Sequence, residues 1–503
     1  MNKRYLGFPR RAIWQLGLVF GCLFAVSLTI VACSSGSSAP AASTTGKVAV
    51  SISDPATCQV SGGGPFQSVY VTITDVQANM SSSAGNNDSG WVDLTPNLSK
   101  DPKQIDLLNM PSGSNNCFLA TLGDALELQA GKYQQIRIML ASNSAASVTG
   151  NQCGSANNCV VVDDSTKGPT TYPLKLSSEA QTGIKIPSGQ IAGGGINVAA
   201  GKTEDLDIDF QTCASIVKEG NGQYRLKPVL HAGVVSTASS SINGTVLDTT
   251  SGNAPAGKVE VALEQPDSNG VDRVYMTTLA DPTTGNFVFC PLPDGTYDVV
   301  VVAQDNSNNF YQPAIVTGVS VGSTTGNIML NMPASGGNAA VTALVTSSDT
   351  SSPAKGIPVD VTLDMLEKIG GTTYTIPLPP YPNMPQLGGG GLTVTTAPST
   401  STLTCPTNTD CAEPEMDGPA GAAYLYAYGA SGPTLTTTGS ALFATYTVDA
   451  QAYEAGTNTR DCSVASPADL QTDPLVLAAS TTYPISATGT GSTSKPLAFT
   501  SCQ

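Results

Sequence analysis

Three features of this 503-residue chain predict an all-β fold with several β-sandwich domains in series. Short runs alternate apolar and polar residues with period two, as in "KVAVSISD" (Lys47–Asp54) and "DLDIDF" (Asp205–Phe210), the pattern of a half-buried strand. Clusters such as "AGNNDSG" and "EGNGQY" interrupt these runs with residues suited to turns. Charged residues make up only 12% of the chain against 40% apolar, with Thr, Ser, Val, Gly and Asn prominent. That is the composition of pleated surface. At about 150 residues per domain, the length corresponds to roughly three.

The N-terminal end carries Lys3, Arg4, Arg10 and Arg11, then the apolar run Ala12–Ala32. A basic segment, an apolar segment and small residues before the break are the parts of a signal peptide, here 1–32. The run is also long enough to span a bilayer, so an uncleaved N-terminal helix is the alternative. Both place the remaining chain outside the cytoplasm. "IVAC" (Ile30–Cys33) resembles the bacterial lipobox, with an aliphatic residue, a small residue and then an obligatory cysteine. The resemblance implies a lipoprotein acylated at Cys33 with palmitate-like chains. Several buried chains hold a protein to a membrane far more firmly than one. Residues 33–45 then form a flexible tether. The anchor implied is the outer membrane of a Gram-negative bacterium, at its periplasmic face or the cell surface.

From Lys47 the strands follow at regular intervals. "GKVAVSISDPATC", "QSVYVTITDVQA", "SGWVDLTP", "LQAGKYQQIRIML", "TGIKIPSGQIAGG" and "DLDIDFQTCASIVKEGNGQYRLKPVL" together resemble the bacterial lipoprotein family called domain of unknown function 4382, over about 46–235. The resemblance implies a β-rich exported domain and no activity. "CASIVKEG" (Cys213–Gly220) reads as a short helix or a strand approach.

A second unit at 241–333 carries "INGTVLD", "GKVEVALE", "DPTTGNFVF", "LPDGTYDVVVVA" and "NIMLNM". It resembles the carboxypeptidase regulatory-like module, a prealbumin-type sandwich with a carbohydrate-binding-like fold. In physical terms Asp281 and Gly285 turn a hairpin, Phe287 and Phe289 face one core, and "PDG" turns the chain before a buried strand. Residues 337–503 form a further β-rich region that opens like a divergent second sandwich. "IPLPPYPNMPQLGGGG" (Ile376–Gly391) interrupts it with a polyproline segment and a glycine hinge.

Charge excludes one partner class. No acid precedes Cys33 and four basic residues precede Ala12, so the remainder holds 18 basic and 38 acidic residues, a net of −20. Such a surface repels phosphate backbones and disfavours nucleic acid.

Ten cysteines follow Cys33, an even number in an exported chain, which suggests disulfides. The best candidates are Cys58, Cys117, Cys153, Cys159, Cys405, Cys411, Cys462 and Cys502. Cys153/Cys159 and Cys405/Cys411 share one spacing that makes a closable loop, and Cys462 with Cys502 would staple the C-terminal end. Zinc is disfavoured because the usual Cys-x2-Cys spacing is absent and His231 is the sole histidine.

Catalytic chemistry has few carriers. A Ser–His–Asp or Cys–His set must use His231, which sits in "LKPVLHAG" on a strand, where a satisfied core histidine is the ordinary outcome. Asp205, Asp207 and Asp209 share one strand face at about 6.5–7 Å spacing. They are weak calcium candidates, and a solvated strand face is the simpler reading. Tyr424, Tyr426 and Tyr428 in "AAYLYAYGA" fall on one side of a strand, either as a platform for a ligand or as a core face. No cofactor is implied. The function indicated is a non-enzymatic, membrane-anchored envelope lipoprotein acting as a structural or binding module. Its partner beyond the membrane is a polysaccharide or another envelope protein. A polysaccharide-binding surface protein is the first alternative, and a hydrolase with an unrecognised carboxylate site is the second.

Overall fold

Val48, Val50 and Ile52 alternate along the strand Thr45–Ser53, and all three are fully buried. In the computed structural model this strand pairs in parallel with Thr203–Phe210, from Lys47↔Thr203 to Ser53↔Asp209. Its other edge takes Leu119–Gln129 in antiparallel fashion, and Leu230–Val235 completes a four-stranded sheet. The structure describes residues 44–54, 66–110, 117, 119–164, 168–176, 182–218, 222–235, 240–267, 269–333, 337–378, 391–454, 462, 470–471, 475–480, 482–485 and 497–502. Cys33, the segment 1–32 expected to be a signal peptide, Cys58 and most of the Pro/Gly-rich interruption lie outside them. The described chain is almost wholly β, as its sequence predicts.

A second sheet closes the first core. Its central path runs Ile184–Ile186, Gln135–Leu140, Phe66–Asn79, Cys159–Asp164, Gly168–Lys175, Tyr224–Leu226 and Ile216–Lys218. Val69, Val71, Ile73, Ile136 and Ile138 from this sheet share a core with Leu206, Ile208 and Phe210 from the other. Alternate residues of these strands enter this core, and the others face away from it. "CASIVKEG", for which a short helix and a strand approach are the alternatives in sequence, spans the end of a helical turn, Thr212–Ser215, and the strand Ile216–Lys218 that follows it.

The second core lies between a three-stranded sheet and a larger one. The small sheet orders Asn286–Phe289, Ile242–Asp248 and Thr324–Leu330. Phe287 and Phe289 are both buried in this core, with ring centroids 6.0 Å apart. Gly285 closes the preceding turn by donating its N–H to the Asp281 carbonyl at 2.7 Å. Its φ of +73° and a 2.1 Å approach of any added Cβ to the Val246 carbonyl oxygen require glycine there.

The larger sheet contains twelve strands and extends into the C-terminal region through two parallel pairings. Val271 and Asp272 pair with Thr373 and Tyr374, while Ala314–Thr317 pair with Tyr424–Ala427. Consequently the strand Thr296–Asp305 is covered on both faces. Val299, Val301 and Ala303 enter the second core, whereas Val300 and Val302 enter the third, beside Val341, Val361, Leu363 and Phe499. A strand buried on both faces reads as a continuous apolar run, which explains "VVVVA".

Two further contacts tie the first core to the others. A disulfide joins Cys117 to Cys290. Arg225, on Tyr224–Leu226, forms a bidentate pair with Asp360, at 3.1 Å from Nη1 to Oδ2 and 2.9 Å from Nη2 to Oδ1. Both side chains are almost fully buried.

Candidate functional site

Four disulfides are formed among the described residues: Cys117–Cys290, Cys153–Cys159, Cys405–Cys411 and Cys462–Cys502. The two six-residue spacings pair locally, as expected. The partner of Cys117 is Cys290, which was not among the candidates. The two are 173 residues apart in sequence, so no spacing rule links them.

Asp205, Asp207 and Asp209 do share a strand face, but that face is not solvated. Asp205 is exposed, whereas Asp207 and Asp209 are only 3% and 2% exposed. Tyr275 of the second core lies against it: its ring is 4.6 Å from that of His231, and Gln211 Nε2 donates to its carbonyl. Asp207 accepts hydrogen bonds from Ser53 Oγ at 2.6 Å and Ser51 Oγ at 3.2 Å. Burial nevertheless pushes its pKa up to about 7. Asp209 has no hydrogen-bond partner for either oxygen. Burial first, then the nearby Asp54 and Asp207 carboxyls, push its pKa well above the ordinary range. His231 is pushed down to about 4 by burial, so it is neutral at physiological pH. Gln211 Nε2 lies 3.2 Å from its Nδ1. Among the described residues no three acidic, histidine or cysteine side chains are placed to hold a metal ion. The three aspartates therefore do not converge as calcium ligands.

Tyr424 and Tyr426 lie on one strand side with ring centroids 6.5 Å apart, half-buried. Their hydroxyls point back into the protein: Tyr424 donates to Gln312 Oε1 at 3.4 Å and Tyr426 to the Met329 carbonyl at 3.5 Å. Tyr428 donates to the Thr324 carbonyl at 3.3 Å, and both Tyr426 and Tyr428 pack on the second core.

A different face concentrates polar chemistry. Val76 and Ala78 turn into the first core, so Asp75 and Gln77 turn outward; the same alternation turns Arg137 and Lys185 outward from their strands. Cross-strand register sets these residues in one row. Asp93 is the partner of Gln77, Gln77 of Arg137, and Arg137 of Lys185. At about 4.8 Å per strand the row is about 14 Å long. Hydrogen bonds run along it: Arg137 Nε donates to Gln77 Oε1 at 2.7 Å, and Gln77 Nε2 donates to Asp75 Oδ2. The Asp75 carboxyl meets that of Asp93, whose Oδ1 accepts the Thr95 N–H at 2.7 Å. Burial, followed by the Asp93 contact, raises the Asp75 pKa to about 6. Trp91 flanks the row with the Arg137 guanidinium 4.2 Å above its ring, and its Nε1 donates to the Gly85 carbonyl at 3.0 Å. A cavity of about 240 Å³ lies at Thr95 and is also lined by Asp101, Lys103, Leu122 and Asp124.

A family model described as "Domain of unknown function (DUF4382)" matches residues 45–228. No curated protein matches the sequence. Among solved structures, a leucine-rich repeat protein from Bacteroides thetaiotaomicron aligns at 13% identity and TM-score 0.20, covering 52% of this chain and 27% of that one. The Bacillus anthracis TIE protein aligns at 10% identity and TM-score 0.15, covering 88% of this chain and 51% of that one. The chain thus spans about a quarter and about half of these two proteins. A putative adhesin from Bacteroides ovatus aligns at 8% identity and TM-score 0.15, covering 51% of this chain and 91% of that one.

Proposed function

We propose that the chain is a non-enzymatic lipoprotein of the outer cell envelope that acts as a structural or binding module. The observation that carries this reading is the Cys117–Cys290 disulfide. It closes a long loop and joins two cores, a device that persists only in an oxidising compartment. The buried Arg225–Asp360 pair joins the first core to the third, so the described β regions are cross-braced. The chain's sole histidine is half-buried and neutral, and the Asp207 and Asp209 carboxyls near it are buried.

In this reading residues 1–32 are removed, Cys33 is acylated and 33–45 is the tether. Residues 46–235 form the domain of unknown function and 241–333 a carboxypeptidase regulatory-like sandwich. Residues 337–503 complete the module. Mass spectrometry of the envelope-bound protein tests it: the N-terminal peptide should begin at an acylated Cys33. A peptide retaining Met1 would contradict the anchor. A second reading, saccharide binding, is favoured by the Asp93–Gln77–Arg137–Lys185 row beside Trp91.

A further inference from the structure

We propose that the outward row Asp93–Gln77–Arg137–Lys185, with Asp75 and Trp91 at its flank, binds an anionic saccharide, a chain of uronic-acid type. This rests on the reading of the protein as an exported binding module.

The row sets like charges against each other at both ends. Arg137 and Lys185 are direct cross-strand partners, an arrangement that destabilises a sheet. No carboxylate among the described residues is ion-paired with either cation. Among the described residues Lys185 Nζ donates to the Ala84 carbonyl at 3.2 Å, and Arg137 Nη1 donates to the Asn86 carbonyl at 2.8 Å. At the other end the Asp75 and Asp93 carboxyls are in contact. Among the described residues the other nearby acid is Asp88, whose charge acts on Lys185 from beyond ion-pair distance while its Oδ2 accepts the Gly85 N–H at 2.7 Å.

One ligand relieves both conflicts if it brings a carboxylate to the cations and hydroxyl donors to the carboxyls. A uronic-acid residue carries both on one ring. Inorganic phosphate or an acidic peptide meets only the cationic end. A row of about 14 Å accommodates more than one ring in line. Gln77 uses its oxygen toward Arg137 and its amide N–H toward Asp75, which fixes the spacing between the two ends. The indole orients the guanidinium from one face and anchors its own ring through Nε1. Where the residues after Cys33 sum to a net charge of −20, two adjacent cations with no ion pair among the described residues are what an anionic ligand would select.

Isothermal titration of the full chain with an oligogalacturonate, a neutral oligogalactose, inorganic phosphate and polyglutamate tests the proposal. Oligogalacturonate should bind, and its affinity should fall as salt rises. Arg137→Gln and Lys185→Gln should each weaken it by about tenfold or more. Asp75→Asn, which removes a hydroxyl acceptor, should also weaken it. Thermal unfolding controls for folding, because Lys185→Gln removes a repulsion and should be at least as stable as the parent. Absence of oligogalacturonate binding, equal binding of oligogalactose, or equal binding of phosphate or polyglutamate would overturn the proposal. So would affinity unchanged by both cation variants. Each of these failures leaves the acylation of Cys33 as a separate measurement, so it does not by itself remove the lipoprotein reading.

Discussion

Breaking the Cys117–Cys290 bond should cost far more than breaking Cys153–Cys159, although each is a single cross-link. A disulfide stabilises largely by restricting the unfolded chain, and the effect grows with the logarithm of the loop it closes. The separation of 173 residues gives about 5 kcal/mol at 25 °C. The separation of 40 at Cys462–Cys502 gives about 4 kcal/mol. Six residues, at Cys153–Cys159 and Cys405–Cys411, give about 2 kcal/mol. These are upper values, because residual structure in the unfolded chain reduces them. Paired Cys→Ala variants of the longest and one of the shortest loops, unfolded in urea, provide the assay. Alanine avoids placing a hydroxyl in the buried surroundings of Cys117 and Cys290. The Cys117→Ala/Cys290→Ala variant should show the larger drop in midpoint, with its first and second cores melting apart. An equal or smaller drop than Cys153→Ala/Cys159→Ala would refute the reasoning.

Two other perturbations follow from buried charge. Asp207 has a folded-state pKa of about 7, above its unfolded value, so the folded chain holds the extra proton. Stability from this group is present below the unfolded pKa and is lost as pH rises from about 4 to about 7. Asp207→Asn should therefore raise the melting temperature at pH 8 and leave it nearly unchanged at pH 4; equal effects at both pH values would contradict the assignment. Arg225→Met should cost roughly 3 kcal/mol in urea unfolding, because it leaves Asp360 buried without its bidentate partner. A loss below about 1 kcal/mol would mean that Lys227, whose charge also acts on Asp360, takes over that role.

Local chemistry in the sequence was readable where neighbours along the chain decide the structure. The alternation of Val48, Val50 and Ile52, the turn from Asp281 to Gly285 before Phe287, and the two six-residue cysteine spacings are all of this kind. What stayed hidden depends on which strands meet. Asp207 and Asp209 lie on the predicted face, but Tyr275 comes from another part of the chain to cover that end. Cys290 is placed opposite Cys117 by the packing of two cores, which no spacing reveals. The Asp93–Gln77–Arg137–Lys185 row draws one residue from each of four strands, so only their register assembles it. The available signal is the outward polar residues of the alternation, Asp75 and Gln77 in "DVQAN", Arg137 in "QIRIML" and Lys185 in "GIKIP". The run "VVVVA" also carried a signal, since four valines in succession suit a strand covered on both faces.

A non-reducing peptide map of the protein isolated from the cell envelope tests the central claim most directly. An exported, anchored and stapled module should yield an N-terminal peptide beginning at acylated Cys33, together with one cross-linked peptide joining Cys117 to Cys290. An intact Met1 with free thiols at Cys117 and Cys290 would contradict it.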